Sequence, residues 1–276
     1  MPDIHPTALV DASARLGQGV AVGAYARVEA DTVLGELCRV MDYGVVRRYT
    51  HLGRGNVVHP TAVLGGEPQD LKFDPATVTY VRTGANCVFR EGVTISRATS
   101  PGQATLIGDD VYMMAQSHVG HDSVIENGVV MANCVSVAGH CQVGQACFLG
   151  GGAGIHQYCW VGQGVVVRGL TGIAQHVPPF MMTANTNDVV GLNVVGMRRM
   201  GLTAPQRQQI RQMYRLMYFE GLSVPAALAR LDQGDDWDAP AVAFREFVRR
   251  CHQAPPPYNR GIARPRRGRR IETPQE

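Results

Sequence analysis

From Ile4 onward an aliphatic side chain returns at every sixth position: Ile4, Val10, Leu16, Val22, Val28, Leu34, Val40, Val46, Leu52, Val58 and Leu64. Glycine follows directly in several units (Gly17, Gly23, Gly35, Gly53, Gly65), and Ala8, Ala14, Ala26, Thr32 and Ala62 take the fifth position. The register breaks at Gly66, runs irregularly to about Thr79, and returns weakly at Thr83, Phe89 and Ile95. A second break spans about Ser100 to Thr105. The repeat is then continuous from Ile107 through Met113, Val119, Ile125, Met131, Val137, Val143, Leu149, Ile155, Val161, Val167 and Ile173.

A repeat this regular names an architecture before any other feature does. Each hexad reads as a short strand and a turn, and three hexads close one triangular coil. The aliphatic residue points into the core and the small residues fit the corners. Glycine and asparagine are expected to supply turn dihedrals that other residues avoid. Successive coils should pair as parallel strands about 4.8 Å apart. The expectation is a parallel β-helix over residues 1–188, with loop excursions near 66–79 and 99–106.

After Pro178-Pro179 the six-residue pattern stops, and a linker leads into a helical domain over 189–253. Thr203 reads as an N-cap with Pro205 in the first turn. Ile210, Met213, Tyr214, Met217 and Tyr218 then form an amphipathic stripe. Ser223 caps a second helix through Leu231, and Ala241, Phe244, Phe247 and Val248 mark a third. From Ala254 on, prolines and arginines predict a poorly ordered basic tail over 254–276. Its Arg264 to Arg270 cluster reads as a flexible solubilising run, so no nucleic-acid partner is expected.

Composition limits the setting. The 276 residues suit one large domain and an appendage. No apolar run reaches about 18 residues, so no membrane span is expected. Met1 to His5 carries no secretory leader pattern. The seven cysteines include no CxxC pair. They read as reduced packing residues of a cytoplasmic protein, with no metal and no cofactor expected.

Four of the nine histidines, His118, His121, His140 and His156, fall in the second repeat block. One coil per roughly 18 residues puts Asp122 and His140 in one column, with His121 beside them. A histidine paired with a carboxylate is a general base suited to neutral pH. The same spacing also fits ordinary polar turn residues. A zinc site using His118 and His121 is a further reading.

Five segments carry a specific resemblance: Ser117-His118-Val119-Gly120-His121-Asp122, Ala138-Gly139-His140, Ile155-His156-Gln157-Tyr158-Cys159, Pro68-Gln69-Asp70-Leu71-Lys72, and Gly191 to Arg199. Together they make the chain similar, to about residue 250, to the bacterial UDP-N-acetylglucosamine O-acyltransferases of lipid A synthesis. That resemblance implies a left-handed winding and a homotrimer with active sites between neighbouring prisms. It implies transfer of a 3-hydroxyacyl chain from acyl carrier protein to the sugar 3-hydroxyl of UDP-N-acetylglucosamine. His121 would be the general base, Asp122 would orient it, and the Gly139 amide would hold the oxyanion. Asp70, Lys72, His118, His140, His156 and Gln157 would line the cleft, with Gln69 beside them. Asn193 and Arg199 would face the nucleotide or its phosphates. Gly169 would leave the acyl groove open to a long chain, although Arg168 beside it is bulky. Arginines 207, 211, 215, 249 and 250 would suit an acidic carrier protein.

Three residues depart from the family pattern: Ser96 for a histidine, Val195 for an acid and Met200 for an arginine. They bear on the acceptor and leave the acyl-transfer residues intact, so a paralogous enzyme acting on an amino-sugar nucleotide is the closest alternative. Retention of His121, Asp122, Gly139, His140 and His156 speaks against a non-catalytic scaffold. The lack of a three-histidine set speaks against a zinc-dependent hydratase.

Overall fold

The computed structural model describes residues 1–234 and 236–265. The chain winds as the expected left-handed parallel β-helix, with short strands gathered into three sheets of 11, 9 and 8 strands. Ile4 pairs with Val22 and Val22 with Val40, one coil apart in each case. The inward aliphatic column is closed to solvent from Val22 through Ile173. Only the first coil is open, where Ile4 remains 42% exposed. Ala26, Thr32 and Ala62 fill corners at 0% exposure.

The glycines meet the expectation in part: Gly19, Gly55, Gly65 and Gly92 among others take positive φ. Most turn residues with positive φ are not glycine: Tyr25, Leu37, Tyr43, Asp122 (59°), His140 (58°) and Tyr158 (65°) all adopt it. The glycine after the aliphatic residue answers to the next coil instead. A Cβ on Gly17 would lie 2.6 Å from the Glu36 nitrogen, one on Gly35 2.7 Å from the Gly53 carbonyl carbon, and one on Gly53 2.4 Å from the Gly84 oxygen. The missing side chain lets the backbones touch, a use of glycine distinct from its φ freedom.

The two breaks are loops that leave the column without shifting it. Val57 pairs with Val88 and Val58 with Phe89 across the first. Val88 pairs with Tyr112 across the second. The first loop runs from Glu67 to Thr79, between strands Val63–Gly66 and Tyr80–Thr83. The second is shorter than the repeat suggested: strand Ala104–Ile107 pairs along its length with Tyr80–Thr83, so the excursion ends at 103. Asn56, buried at 0%, closes the coil beneath the first loop. Its amide donates to the carbonyls of Gly53 (2.7 Å) and Gly84 (2.9 Å) and accepts from the Cys87 N–H (3.0 Å).

Where a linker was expected after Pro179, the chain makes an antiparallel hairpin, Met181–Ala184 with Asp188–Leu192, on the edge of the largest sheet. Pro178-Pro179 ends the hexads, but sheet edge remains for pairing. Four helices follow: α1 (Val194–Arg199), α2 (Ala204–Tyr218), α3 (Val224–Leu231) and α4 (Ala239–His252). The first was not anticipated. Thr203 and Gln206 form a capping box on α2, and Ser223 caps α3. Ile210, Met213 and Tyr214 of α2, Leu231 of α3 and Phe244 and Val248 of α4 are buried in a core continuous with that of the prism. Among the described residues no helix is long and apolar enough to cross a membrane.

The tail is a second correction. Residues 254–264 return to the prism: Ile262 bridges His176 and Arg264 bridges Asp188. Backbone pairing and buried aromatics hold what composition alone marked as loose. Arg266 to Arg270 lie outside the described residues.

Replacing Asn56 by alanine should cost about 2–3 kcal/mol, because the buried Cys87 N–H loses its acceptor while the Gly53 and Gly84 carbonyls each lose one of two donors. Urea unfolding measures this; a loss below about 0.5 kcal/mol would show that the staple is dispensable.

Candidate active site

The middle sheet carries an outward column of His118, Ser136, Gly154 and Gly172, paired one above the other. Shrinking side chains up the column hollow this face. The result is a cleft of about 550 Å³, walled by Ser96, His118, His121, Gly139, His156 and Gln157 among others, with Gln69 at its rim.

His121 and Asp122 occupy consecutive turn positions, and the left-handed backbone at Asp122 swings its carboxylate back toward the imidazole. His121 Nδ1 stands 2.8 Å from Asp122 Oδ2. Thr99 grips the same carboxylate from the second loop, through its hydroxyl (2.8 Å to Oδ2) and its N–H (3.1 Å to Oδ1). Burial pushes Asp122 upward, but the hydrogen bonds from His121 and Thr99 outweigh it and hold the carboxyl below its ordinary range. An ionised Asp122 accepts the Nδ1 proton and leaves Nε2 as the basic nitrogen. His140 lies 3.6 Å from the same oxygen and meets the His121 ring edge-on at 5.1 Å. Burial holds His140 and His118 below their ordinary values, so both are neutral at neutral pH.

Gly139 sits against the His121 ring. A Cβ there would stand 2.6 Å from Cε1 and 2.7 Å from Nε2. Some amides of the same turn position are capped by a side chain from a neighbouring coil, as Ala24 by Asp42 (2.9 Å), Ala85 by Asp109 (2.6 Å) and Asp109 by Asn127 (2.8 Å), while others are left free. Among the described residues, nothing accepts from the Gly139 amide. A basic nitrogen and a free N–H donor thus share one spot.

His121 Nδ1, Asp122 and His140 form a set whose ligand atoms lie within 4.8 Å of one another. A cation ligated by His121 Nδ1 would displace the hydrogen bond between that nitrogen and the Asp122 carboxylate. His118 is not in this set, and its Nδ1 bonds the Thr94 hydroxyl at 2.8 Å.

Other expected residues scatter. Asp70 and Lys72 stand exposed on the first loop, where the Asp70 carboxylate accepts from the Lys72 N–H at 2.9 Å. Gly169 lies on an exposed turn outside the cleft wall. Arg199 ends α1 in solvent. Asn193 is buried, and its amide caps α1 (2.8 Å from the Gly196 N–H) and donates to the Gly164 carbonyl (2.8 Å). Of the arginines assigned to a carrier protein, Arg249 pairs with Asp232, while Arg250 binds Gln142 and lies 3.7 Å over the Trp160 ring. Thr99 went unforeseen. It sits in a repeat break, 23 residues from its partner, and only its neighbour Ser96 drew notice.

A β-helix bearing a carboxylate-anchored imidazole beside an uncapped amide defines an acyltransferase of the hexapeptide-repeat class. Residues 176–263 match the family model for UDP N-acetylglucosamine O-acyltransferase, domain 2. The chain is 39% identical over 270 residues to the acyl-[acyl-carrier-protein]–UDP-N-acetylglucosamine O-acyltransferase of Verminephrobacter eiseniae, covering 96% of this chain and 100% of that one. It is 35% identical to the Agrobacterium fabrum enzyme of the same name, over 89% of this chain and 91% of that one. The solved UDP-N-acetylglucosamine O-acyltransferase (LpxA) of Moraxella catarrhalis superposes with a TM-score of 0.87 at 30% identity, covering 95% of this chain and 99% of that one. The chain belongs to the acyl-[acyl-carrier-protein]–UDP-N-acetylglucosamine O-acyltransferase family.

Thr99→Val removes the hydroxyl bond and keeps the backbone N–H. The Asp122 carboxyl, followed by carbon NMR, should titrate at higher pH than in the wild type. A lowered carboxyl pKa gives stability that is lost as pH falls through it, so acid unfolding should also begin at higher pH. Unchanged Asp122 titration would take Thr99 out of the dyad.

Proposed function

We propose that this protein moves a (R)-3-hydroxyacyl chain from acyl carrier protein to the 3-hydroxyl of UDP-N-acetylglucosamine, the first step of lipid A biosynthesis. The observation that carries the reading is the His121–Asp122 pair set against the free Gly139 amide. His121 Nε2 takes the proton of the sugar hydroxyl as that oxygen attacks the thioester carbon. The Gly139 N–H donates to the oxyanion that forms, and a donor of this kind is typically worth about 3–4 kcal/mol of barrier. Collapse forms the ester and breaks the carbon–sulfur bond. The proton on His121 then leaves on the carrier's thiol.

Gln69, His118, His140, His156 and Gln157 bind the reacting ends of the two substrates, with Asp70 and Lys72 reaching down from the first loop. Arg199 meets the diphosphate, where a guanidinium matches phosphate oxygens, and Gly169 leaves room for the acyl chain. Arg199 ends α1 outside the cleft of its own protomer, which fits a site shared between protomers in a homotrimer. An outward column of Val57, Val88, Tyr112, Val130, Phe148 and Val166 offers the apolar contact; Phe148 is 41% exposed. Reduced thiols at all seven cysteines suit the cytoplasm. Ser96 lines the cleft at 4% exposure where relatives' larger histidine was expected. That change of side chain in the cleft wall is the observation favouring an amino-sugar nucleotide as the second reading.

The test uses the full chain with 3-hydroxyacyl carrier protein and a panel of nucleotide sugars. Transfer to UDP-N-acetylglucosamine is expected, and His121→Ala should lose at least about a hundredfold in rate. Full turnover in His121→Ala would end the mechanism. Transfer to an amino-sugar nucleotide alone would select the second reading.

A further inference from the structure

Beyond α4 the chain crosses the last coils as a strap. The His176 N–H donates to the Gly261 carbonyl and the Ala263 N–H to the His176 carbonyl, both at 2.8 Å. The buried His176 ring ties the strap from below: Nδ1 accepts the Trp160 N–H at 3.0 Å, and Nε2 donates to the Tyr258 carbonyl at 2.7 Å. The Tyr258 ring stacks on Trp160 at 5.3 Å and meets Tyr158 edge-on at 5.2 Å. The strap is therefore fixed on both sides of Arg260. One terminal nitrogen of that guanidinium lies 3.0 Å from His156 Nδ1, and its Nε is buried without a partner among the described residues.

His156 stands in the cleft wall. A guanidinium only donates, so Nδ1 must accept and the ring proton must sit on Nε2. The same Nδ1 lies 3.2 Å from the Gln157 carbonyl, which would require it to donate. One ring nitrogen cannot do both, and the obligate donor decides. We propose that Arg260 is a positioning residue that fixes His156 as the Nε2–H tautomer, so that the cleft offers an N–H donor to a carbonyl or phosphoryl oxygen of the substrates. The kinetic consequence rests on the acyl-transfer reading; the tautomer does not.

Nitrogen NMR of ring-labelled histidine in the full chain tests this. Wild-type His156 should carry its proton on Nε2, with Nδ1 as acceptor. Arg260→Met should shift the ring toward an Nδ1–H form bonded to Gln157. It should raise the KM of one substrate about tenfold with kcat and the melting temperature nearly kept. Arg260→Lys restores a donor and should recover most of both effects. An Nδ1–H ring in the wild type, or an unchanged tautomer in Arg260→Met, overturns the proposal. A tautomer shift in a chain that acylates no nucleotide sugar supports the control of His156 and overturns the acyl-transfer reading alone.

Discussion

Backbone contact between successive coils is the constraint on which the rest of the structure depends. At the corners where glycine follows a strand, the coils approach so closely that a Cβ on Gly17, Gly35, Gly53 or Gly120 would enter the next backbone. The inward position is given to aliphatic packing and the fifth to small corner residues. Functional side chains are left the outward strand position and the two turn positions. His118 takes the first of these, and His121 with Asp122, and Gly139 with His140, take the turns. At 139 it is the His121 ring itself, seated on that residue, that a Cβ would meet. The His121 imidazole and the free Gly139 amide are neighbours because coils stack, with no loop needed to bring them together.

A uniform prism would still leave that imidazole unanchored, and the interruptions of the repeat supply the anchor. The segment from Ser96 to Thr99 does three things within four residues. Ser96 lines the cleft. Arg97, 5% exposed, reaches the first loop, where it donates to the Thr77 carbonyl (2.5 Å) and the Pro75 carbonyl (3.1 Å) and lies 4.8 Å over the Phe73 ring. That loop carries Gln69, Asp70 and Lys72. Thr99 holds the Asp122 carboxylate through its hydroxyl and its amide. The positions that break the hexad therefore tie the substrate loop and the dyad to one short stretch of backbone.

Legibility in the sequence followed from how many demands each position meets. The inward column meets one demand, aliphatic bulk, so its period showed from Ile4 to Ile173. The coil step set Asp122 in one column with His140, and His121 is its neighbour in the chain, whereas the part given to Gly139 came from the resemblance alone. Thr99 was hidden because its partner is reached through a break where periodicity carries no information. Asn193 was assigned to a nucleotide because it lies in a recognisable segment, and the structure shows its side chain capping α1. The glycines were right in place and half right in reason: φ freedom at Gly19 or Gly55 and close approach at Gly17 or Gly35 leave the same residue in a sequence. Residues 254–264 looked loose because their composition is that of a tail, while the partners that hold them, Trp160 and His176, are distant in the chain.

The two ends of the prism differ, and the difference bears on where the chemistry sits. The first coil presents Ile4 and Leu9 to solvent, 42% and 68% exposed, and its strands pair on one side only. The far end is closed by the hairpin, by Phe180 at 0% exposure, and by α1 with its Asn193 cap. Coils from 118 to 176 thus have neighbours above and below, and the strap adds a third layer over His156. A base held within hydrogen-bonding distance of a carboxylate loses much of its advantage if the frame around it frays, since a displacement of about 1 Å is enough to cost catalysis dearly. Open ends of a ladder are where fraying begins. The dyad sits several coils from the open end, away from where fraying begins.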